Sequence, residues 1–355
     1  MMLGAAFSGI RHGARRGGSS AKFFARRARN ATATLIVQWS GANFDQRNEG
    51  HAPEIDMNAE AVHTPKPKRI LLATDLSARC DRALDRAAQL ARQWRLPLLV
   101  VHATAQATVD SWPVTNDAPS WRQAPRQGDV IERQIRRDLD ERVAELAIHL
   151  AEGDPAEVIL DATASDGSDL IVLGAASGQL AGGLLGNTAE RLVRRSPASV
   201  LVVDSRPRGE YRHILVGTDF TAESRRGLSA AATLFPEAKL VLMHALDIPY
   251  QSLWLDPAHR QEFVRMELAT IEAFIAATAL PDQVRQRIQP LVEHGHPEIM
   301  LRNYVLEKDA DLTVIGALNR NLAFHVLIGG TARRIVQAVP GDILVVRAPP
   351  PSSAG

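Results

Sequence analysis

The chain has 355 residues, 45% of them hydrophobic and only 5% aromatic, with a formal net charge of +1 and a single cysteine, Cys80. One cysteine excludes an internal disulfide and a cysteine zinc cluster and suits a reducing, cytoplasmic compartment, and no run approaches the roughly 20 apolar residues that cross a membrane. Seven basic and no acidic residues fall in residues 1–44, which leaves 34 basic against 40 acidic side chains and points away from nucleic acid.

Residues 1–66 form a basic extension, expected to be disordered, in which the run from Arg11 to Arg29 is Arg-rich and acid-poor as transit peptides are. Met57, just ahead of the first strand, is a candidate start. Two domains follow, at 67–206 and 207–348, with a disordered tail at 349–355.

Arg69-Ile70-Leu71-Leu72-Ala73-Thr74-Asp75 reads as a strand of a parallel sheet covered on both faces. Ser77 is the expected N-cap of a helix whose Ala83, Leu84, Ala87, Ala88 and Ala91 share one face. A second strand, Leu99 to Ala103, runs into a segment at 104–128 that is longer than a compact domain normally holds and carries Trp112 and Trp121. Gly153-Asp154-Pro155 opens a further helix, and Asp169 to Gly174 is the fourth strand. A glycine-rich loop then runs from Gly174 through Gly178 to Gly186-Asn187-Thr188 and enters a helix, and Pro197 to Val203 closes the unit.

The whole pattern then repeats. Thr74-Asp75 recurs as Thr218-Asp219 at an offset of 144, and His102-Ala103 recurs as His244-Ala245 at 142. Gly153-Asp154-Pro155 recurs as Gly295-His296-Pro297 and Asp169 to Gly174 as Asp311 to Gly316, both at 142. Gly186-Asn187-Thr188 returns as Gly329-Gly330-Thr331 and the last strand as Pro340 to Val346, both at 143. Blocks in one order with nearly constant offsets establish a duplication. Alternating strands and helices predict an α/β fold of doubly wound parallel sheets with right-handed crossovers.

In open α/β sheets ligands bind beyond the carboxyl ends of the strands, where strand order reverses. For an order 3-2-1-4-5 that point lies between strands one and four, so Asp75 faces the loop from Gly174, and Asp219 the loop from Gly316. Glycines let backbone N–H groups approach phosphate, and a helix N-terminus adds a favourable dipole. The alternative for both aspartates is that they only cap or orient the following helix. Neither a Gly-Lys-Ser/Thr phosphate loop nor a G-x-G-x-x-G turn is present.

His102 and His244 are expected to be packed histidines bonded to backbone, and His294 and His296 lack the further ligands a metal site needs. Cys80 falls in the first turn of a helix, where a thiol pKa can drop, but its counterpart is Ser224, which favours a structural role.

These residues resemble the universal stress proteins of the tandem-domain type, over about residues 67 to 347. The resemblance rests on Thr-Asp after strand one, His-Ala ending strand two, the Gly-x-Pro turn, and Gly-Asn-Thr-Ala-Glu after the glycine loop. It implies an adenine-nucleotide alpha-hydrolase-like fold, two tandem sheets of order 3-2-1-4-5, and ATP, with Mg2+ accompanying it, as the ligand of a stress-response regulator. Carried over by position, the site is Asp75, Ala103, Gly174, Gly186, Asn187 and Thr188, with Gly178, which follows the place of the second glycine, added to it. In the second copy it is Asp219, Ala245, Gly316, Gly329, Gly330 and Thr331, to which the residues' own chemistry adds Asn319, tolerant of left-handed backbone, and Arg320, able to pair with phosphate. Both loops depart from the family pattern G-x2-G-x9-G-(S/T). Ser177 stands at the second glycine in one loop, which is also one residue short, and Asn319 stands there in the other.

No catalytic residue is assigned, which leaves only a weak ATPase activity open. The alternative reading is an interaction module with degenerate loops, holding no nucleotide or a different small ligand. The last strands, Ser199 to Val203 and Ile343 to Val346, are expected to pair with each other, because exposed sheet edges need covering. A homodimer stays open.

Overall fold

The computed structural model describes residues 65–104, 127–139, 141–175, 186–246, 257–317 and 330–348. The basic extension up to residue 64, the tail, Trp112, Trp121, Ser177, Gly178, Asn319, Arg320 and Gly329 lie outside the described residues.

The first half runs β1 (Ile70–Ala73), α1 (Asp81–Trp94), β2 (Leu98–Thr104), α2 (Gln127–Leu139), β3 (Leu146–Glu152), α3 (Pro155–Asp166), β4 (Leu170–Gly174), α4 (Asn187–Arg195) and β5 (Ser199–Val203). The second runs β6 (His213–Thr218), α5 (Ala222–Leu234), β7 (Lys239–Leu246), α6 (Pro257–Ala277), α7 (Asp282–Arg285), β8 (Gln289–His294), α8 (Pro297–Lys308), β9 (Leu312–Gly316), α9 (Gly330–Ala338) and β10 (Asp342–Val346).

Within each half the strands are parallel in the order 3-2-1-4-5. The two expected sheets are one continuous sheet of ten strands, β3-β2-β1-β4-β5-β10-β9-β6-β7-β8, because β5 and β10 pair antiparallel. The register sets Ile343 opposite Val202, Leu344 opposite Leu201 and Val345 opposite Val200.

Strand residues alternate between two cores, as a period of two requires. Ile70, Leu72, Ile214 and Val216 join one core with residues of α1, α2, α5 and α6. Leu71, Ala73 and Leu215 join the other with residues of α3, α4, α8 and α9. Burial on both faces explains why the strands read as continuous apolar runs.

Helix starts follow local chemistry, with one correction. Asp154 caps α3 by accepting from Ala156 N and Glu157 N at 3.1 Å, with Pro155 in the first turn. Thr221 caps α5 through its side chain, which accepts from Ser224 N at 3.3 Å. Its counterpart Ser77 does not cap α1: the Ser77 carbonyl accepts from Cys80 N in a turn, and Cys80 occupies the cap position. The first helix therefore begins later than the repeat suggests, and its approach lies on the edge of a cavity.

Candidate functional site

Both halves build the segment after their first strand in the same way. The Thr74 hydroxyl accepts from Leu76 N at 3.0 Å and Asp75 Oδ1 from Ser77 N at 2.9 Å. In the second copy Thr218 Oγ1 accepts from Phe220 N at 3.0 Å, and Asp219 Oδ1 accepts from Thr221 N and from its hydroxyl. The residue between is left-handed in both, Leu76 at φ 59° and Phe220 at φ 63°, a conformation that costs a bulky residue roughly 1–2 kcal/mol. The Thr and Asp side chains hold that turn, so each aspartate orients its own loop. Both aspartates are exposed.

His102 and His244 brace the same turn from the neighbouring strand, each with Nδ1 donating to the Thr74 or Thr218 carbonyl, at 2.9 and 2.8 Å. Burial lowers the pKa of His244 and keeps it neutral.

In the first half the turn opens on a cavity of ≈ 320 Å³ between the ends of β1 and β4. Asp75, Ala103, Gly174, Gly186, Asn187 and Thr188 all line it. Ala73, Leu173, Pro155, Ile159 and Leu192 supply an apolar floor, and Arg79 a cation. Gly186 is the N-cap of α4, in an extended conformation with no capping side chain, so the N-terminus of that helix faces the cavity.

Burial pushes the Asp75 carboxyl up, but hydrogen bonds from Ser77 and Cys80 outweigh it and hold the group below the usual carboxylate range. The Cys80 thiol pKa is raised, by burial first and then by the neighbouring Asp75. A thiol held protonated is a poor nucleophile.

The second half differs at the equivalent place. The first turn of α5 lies against the end of β9 so closely that a methyl group on Gly316 would run into the Glu223 carbonyl. At Gly174 the corresponding methyl would lie 3.3 Å from the Arg79 carbonyl. Glu223 is the repeat counterpart of Arg79, so a carboxylate, paired with Arg226 at 3.2 Å, stands where the first half has a cation. Thr331 accepts from Arg334 at 3.2 Å, and Gly330 begins α9. Ala245 lies near the end of β7, partly buried.

Sequence reasoning missed Arg79. The signal was available, because the aligned repeats pair it with a residue of opposite charge.

Among the described residues no group of three or more His, Cys, Asp or Glu is placed to hold a metal ion, and no helix is long and apolar enough to cross a membrane. His294 ends β8 and His296 holds the N-cap position of α8.

Residues 66–204 and 210–347 each match the profile of the universal stress protein family. A universal stress protein of Mycobacterium tuberculosis is 26% identical over 304 residues, covering 79% of this chain and 99% of that protein. A shorter one from Thermus aquaticus is 32% identical over 145 residues, 38% of this chain and 98% of its own length. Among solved structures, a universal stress protein from Archaeoglobus fulgidus shares the fold at a TM-score of 0.56 and 15% identity, covering 79% of this chain and 99% of that one.

Proposed function

Since the chain belongs to the universal stress protein family, we propose that it is a cytoplasmic stress-response regulator whose first half binds ATP or a related adenine nucleotide. The reading rests on one observation: a single cavity gathers Asp75, Ala103, Gly174, Gly186, Asn187 and Thr188 at the switch point between β1 and β4. Its volume lies at the lower end of the roughly 300–1,000 Å³ of small-ligand sites. The adenine and ribose would lie toward Ala103 and Asp75. The phosphates, with Mg2+ as counter-ion, would lie toward Gly174, the N-terminus of α4 and the Arg79 guanidinium.

The role is regulatory rather than catalytic. The cavity offers a carboxylate already committed to its own loop and a thiol held protonated, neither of which suits a general base or nucleophile. For the second half the interaction-module reading is favoured, because Glu223 would repel phosphate and α5 crowds the end of β9.

Calorimetric titration with Mg-ATP tests the assignment on the wild type, Asp75→Ala and Asp219→Ala. Binding lost in Asp75→Ala and retained in Asp219→Ala supports it. No heat from the wild type at millimolar ATP rejects it.

A further inference from the structure

The helix that follows the first strand lies closer to the end of the fourth strand in the second half than in the first. Gly227, buried on α5, faces the end of β9, where a methyl group on it would lie 3.3 Å from Gly316 N and 3.5 Å from the Ile315 carbonyl carbon. The first of these is tighter than ordinary van der Waals contact, so α5 holds its place because position 227 carries no side chain. One turn earlier, Ser224 Oγ and Thr218 Oγ1 share a hydrogen bond of 3.0 Å that ties the start of α5 to the end of β6. Between these two fixed points the Glu223 carbonyl comes down on Gly316.

The first half carries a larger residue at both places. At the repeat offset of 144, Ala83 stands for Gly227 and Cys80 for Ser224. Ala83 is fully buried, so its methyl group takes up packing space and not solvent. Cys80 Sγ sits 3.6 Å from where a methyl group on Gly174 would lie, and the Arg79 carbonyl stays 3.3 Å from that point. The Thr-Asp turn and the histidine that braces it are the same in both halves, so neither produces the difference.

We propose that positions 83 and 227, supported by 80 and 224, decide which half admits the phosphates of a nucleotide, by setting how closely the helix approaches the strand end. Ala83 and Cys80 hold α1 off Gly174, and Gly227 and Ser224 let α5 close on Gly316. Backbone groups at a strand end meet phosphate only where the neighbouring helix leaves them uncovered. Ala83 is thus a positioning residue, acting on the ligand through Gly174. The step from spacing to ligand rests on the nucleotide reading given above, whereas the spacing itself does not.

Two double-mutant cycles in the full chain test the spacing without ligand, since a cycle cancels what each substitution does alone, including the helix propensity gained in Gly227→Ala. Gly316→Ala is expected to lower the Tm by less than half as much in a Gly227→Ala background as in the wild type. Gly174→Ala is expected to lower it more in an Ala83→Gly background than in the wild type. Additive effects in either cycle overturn the proposal, and if Gly316→Ala alone does not fold, the first-half cycle decides.

Calorimetry with Mg-ATP tests the consequence. Ala83→Gly should weaken binding at least about tenfold, while Ala83→Ser, of nearly the same volume, should retain it. Undiminished binding to Ala83→Gly, with both cycles coupled, overturns the role of Ala83 in admitting the ligand. No heat from the wild type at millimolar ATP rejects the nucleotide reading and the step that rests on it, and the cycles still decide the spacing.

Discussion

Leu201 and Leu344 stand directly opposite each other where β5 meets β10. They are the same position of the two repeats, 143 residues apart, and the flanking pairs Val200 with Val345 and Val202 with Ile343 are symmetric about them. The pseudo-twofold axis of this pairing therefore passes between these two leucines.

This register makes a crosslinking prediction. In a Cys80→Ser background, cysteines at Leu201 and Leu344 are expected to form an intramolecular disulfide on mild oxidation, visible as a shift in gel mobility. Cysteines at Val202 and Val345, diagonal rather than opposite, are expected to crosslink far more slowly, since diagonal neighbours lie roughly 7–8 Å apart. Equal crosslinking of both pairs would contradict the register.

Tyr211→Phe removes one hydrogen bond from the buried Asp342 carboxylate and leaves its two backbone donors in place. Hydrogen bonds to charged groups contribute about 1.5–3 kcal/mol, and a loss of that order is expected in urea denaturation. Asp342→Ala should cost more, because it strands Arg86 and Tyr211 together.

A methyl group is expected to be tolerated very differently at two equivalent glycines. Gly316→Ala meets the Glu223 carbonyl, and overpacking of that kind costs about 1–3 kcal/mol. Gly174→Ala has more room and should lower the melting temperature by less than half as much. Matching losses would mean that the two clefts are equally wide.

Reversing one charge at the candidate nucleotide site separates electrostatics from shape. Arg79→Glu gives the first half the residue type of the second, and should weaken ATP binding by about tenfold or more, roughly 1.4 kcal/mol. Raising the salt concentration should narrow the gap between wild type and variant, because exposed charges are screened. A variant that binds ATP like the wild type would remove Arg79 from the site.

His244 makes stability depend on pH. Burial lowers its pKa below the ordinary 6.5, so on acidification the unfolded chain takes up a proton there before the folded one does. Stability contributed by the neutral ring is complete above about 6.5 and is lost as the pH falls from there toward the folded value. Glu267, whose Oε2 lies 3.9 Å from Nε2, has a carboxyl raised by burial and acts with the opposite sign. The comparison with His244→Gln isolates the ring: between pH 7.5 and 5.5 the melting temperature of the wild type should fall more steeply than that of the variant.

Much of the molecule is legible in one dimension. Continuous apolar strands, helical faces such as Ala83-Leu84-Ala87-Ala88-Ala91, and blocks repeated at 142 to 144 residues carry the α/β class and the duplication, because periodicity and repetition are local and survive divergence. The residues that gather at the first-half cavity were also within reach, since each ends or begins an element whose place follows from the strand order. Ser77 misled because capping depends on where the helix actually starts, and α1 starts after Cys80.

What the sequence by itself determined is therefore the repeated unit, its strand order and the positions at its switch point. Only the tertiary structure decided the register in which the last strands join the halves, why Arg79 and Glu223 make them unequal, and which side chains share the buried space around Tyr211 and Asp342. The physical reason is reach. These outcomes depend on volumes and charges brought together across more than a hundred residues of chain, and no local pattern encodes which side chains will share a space.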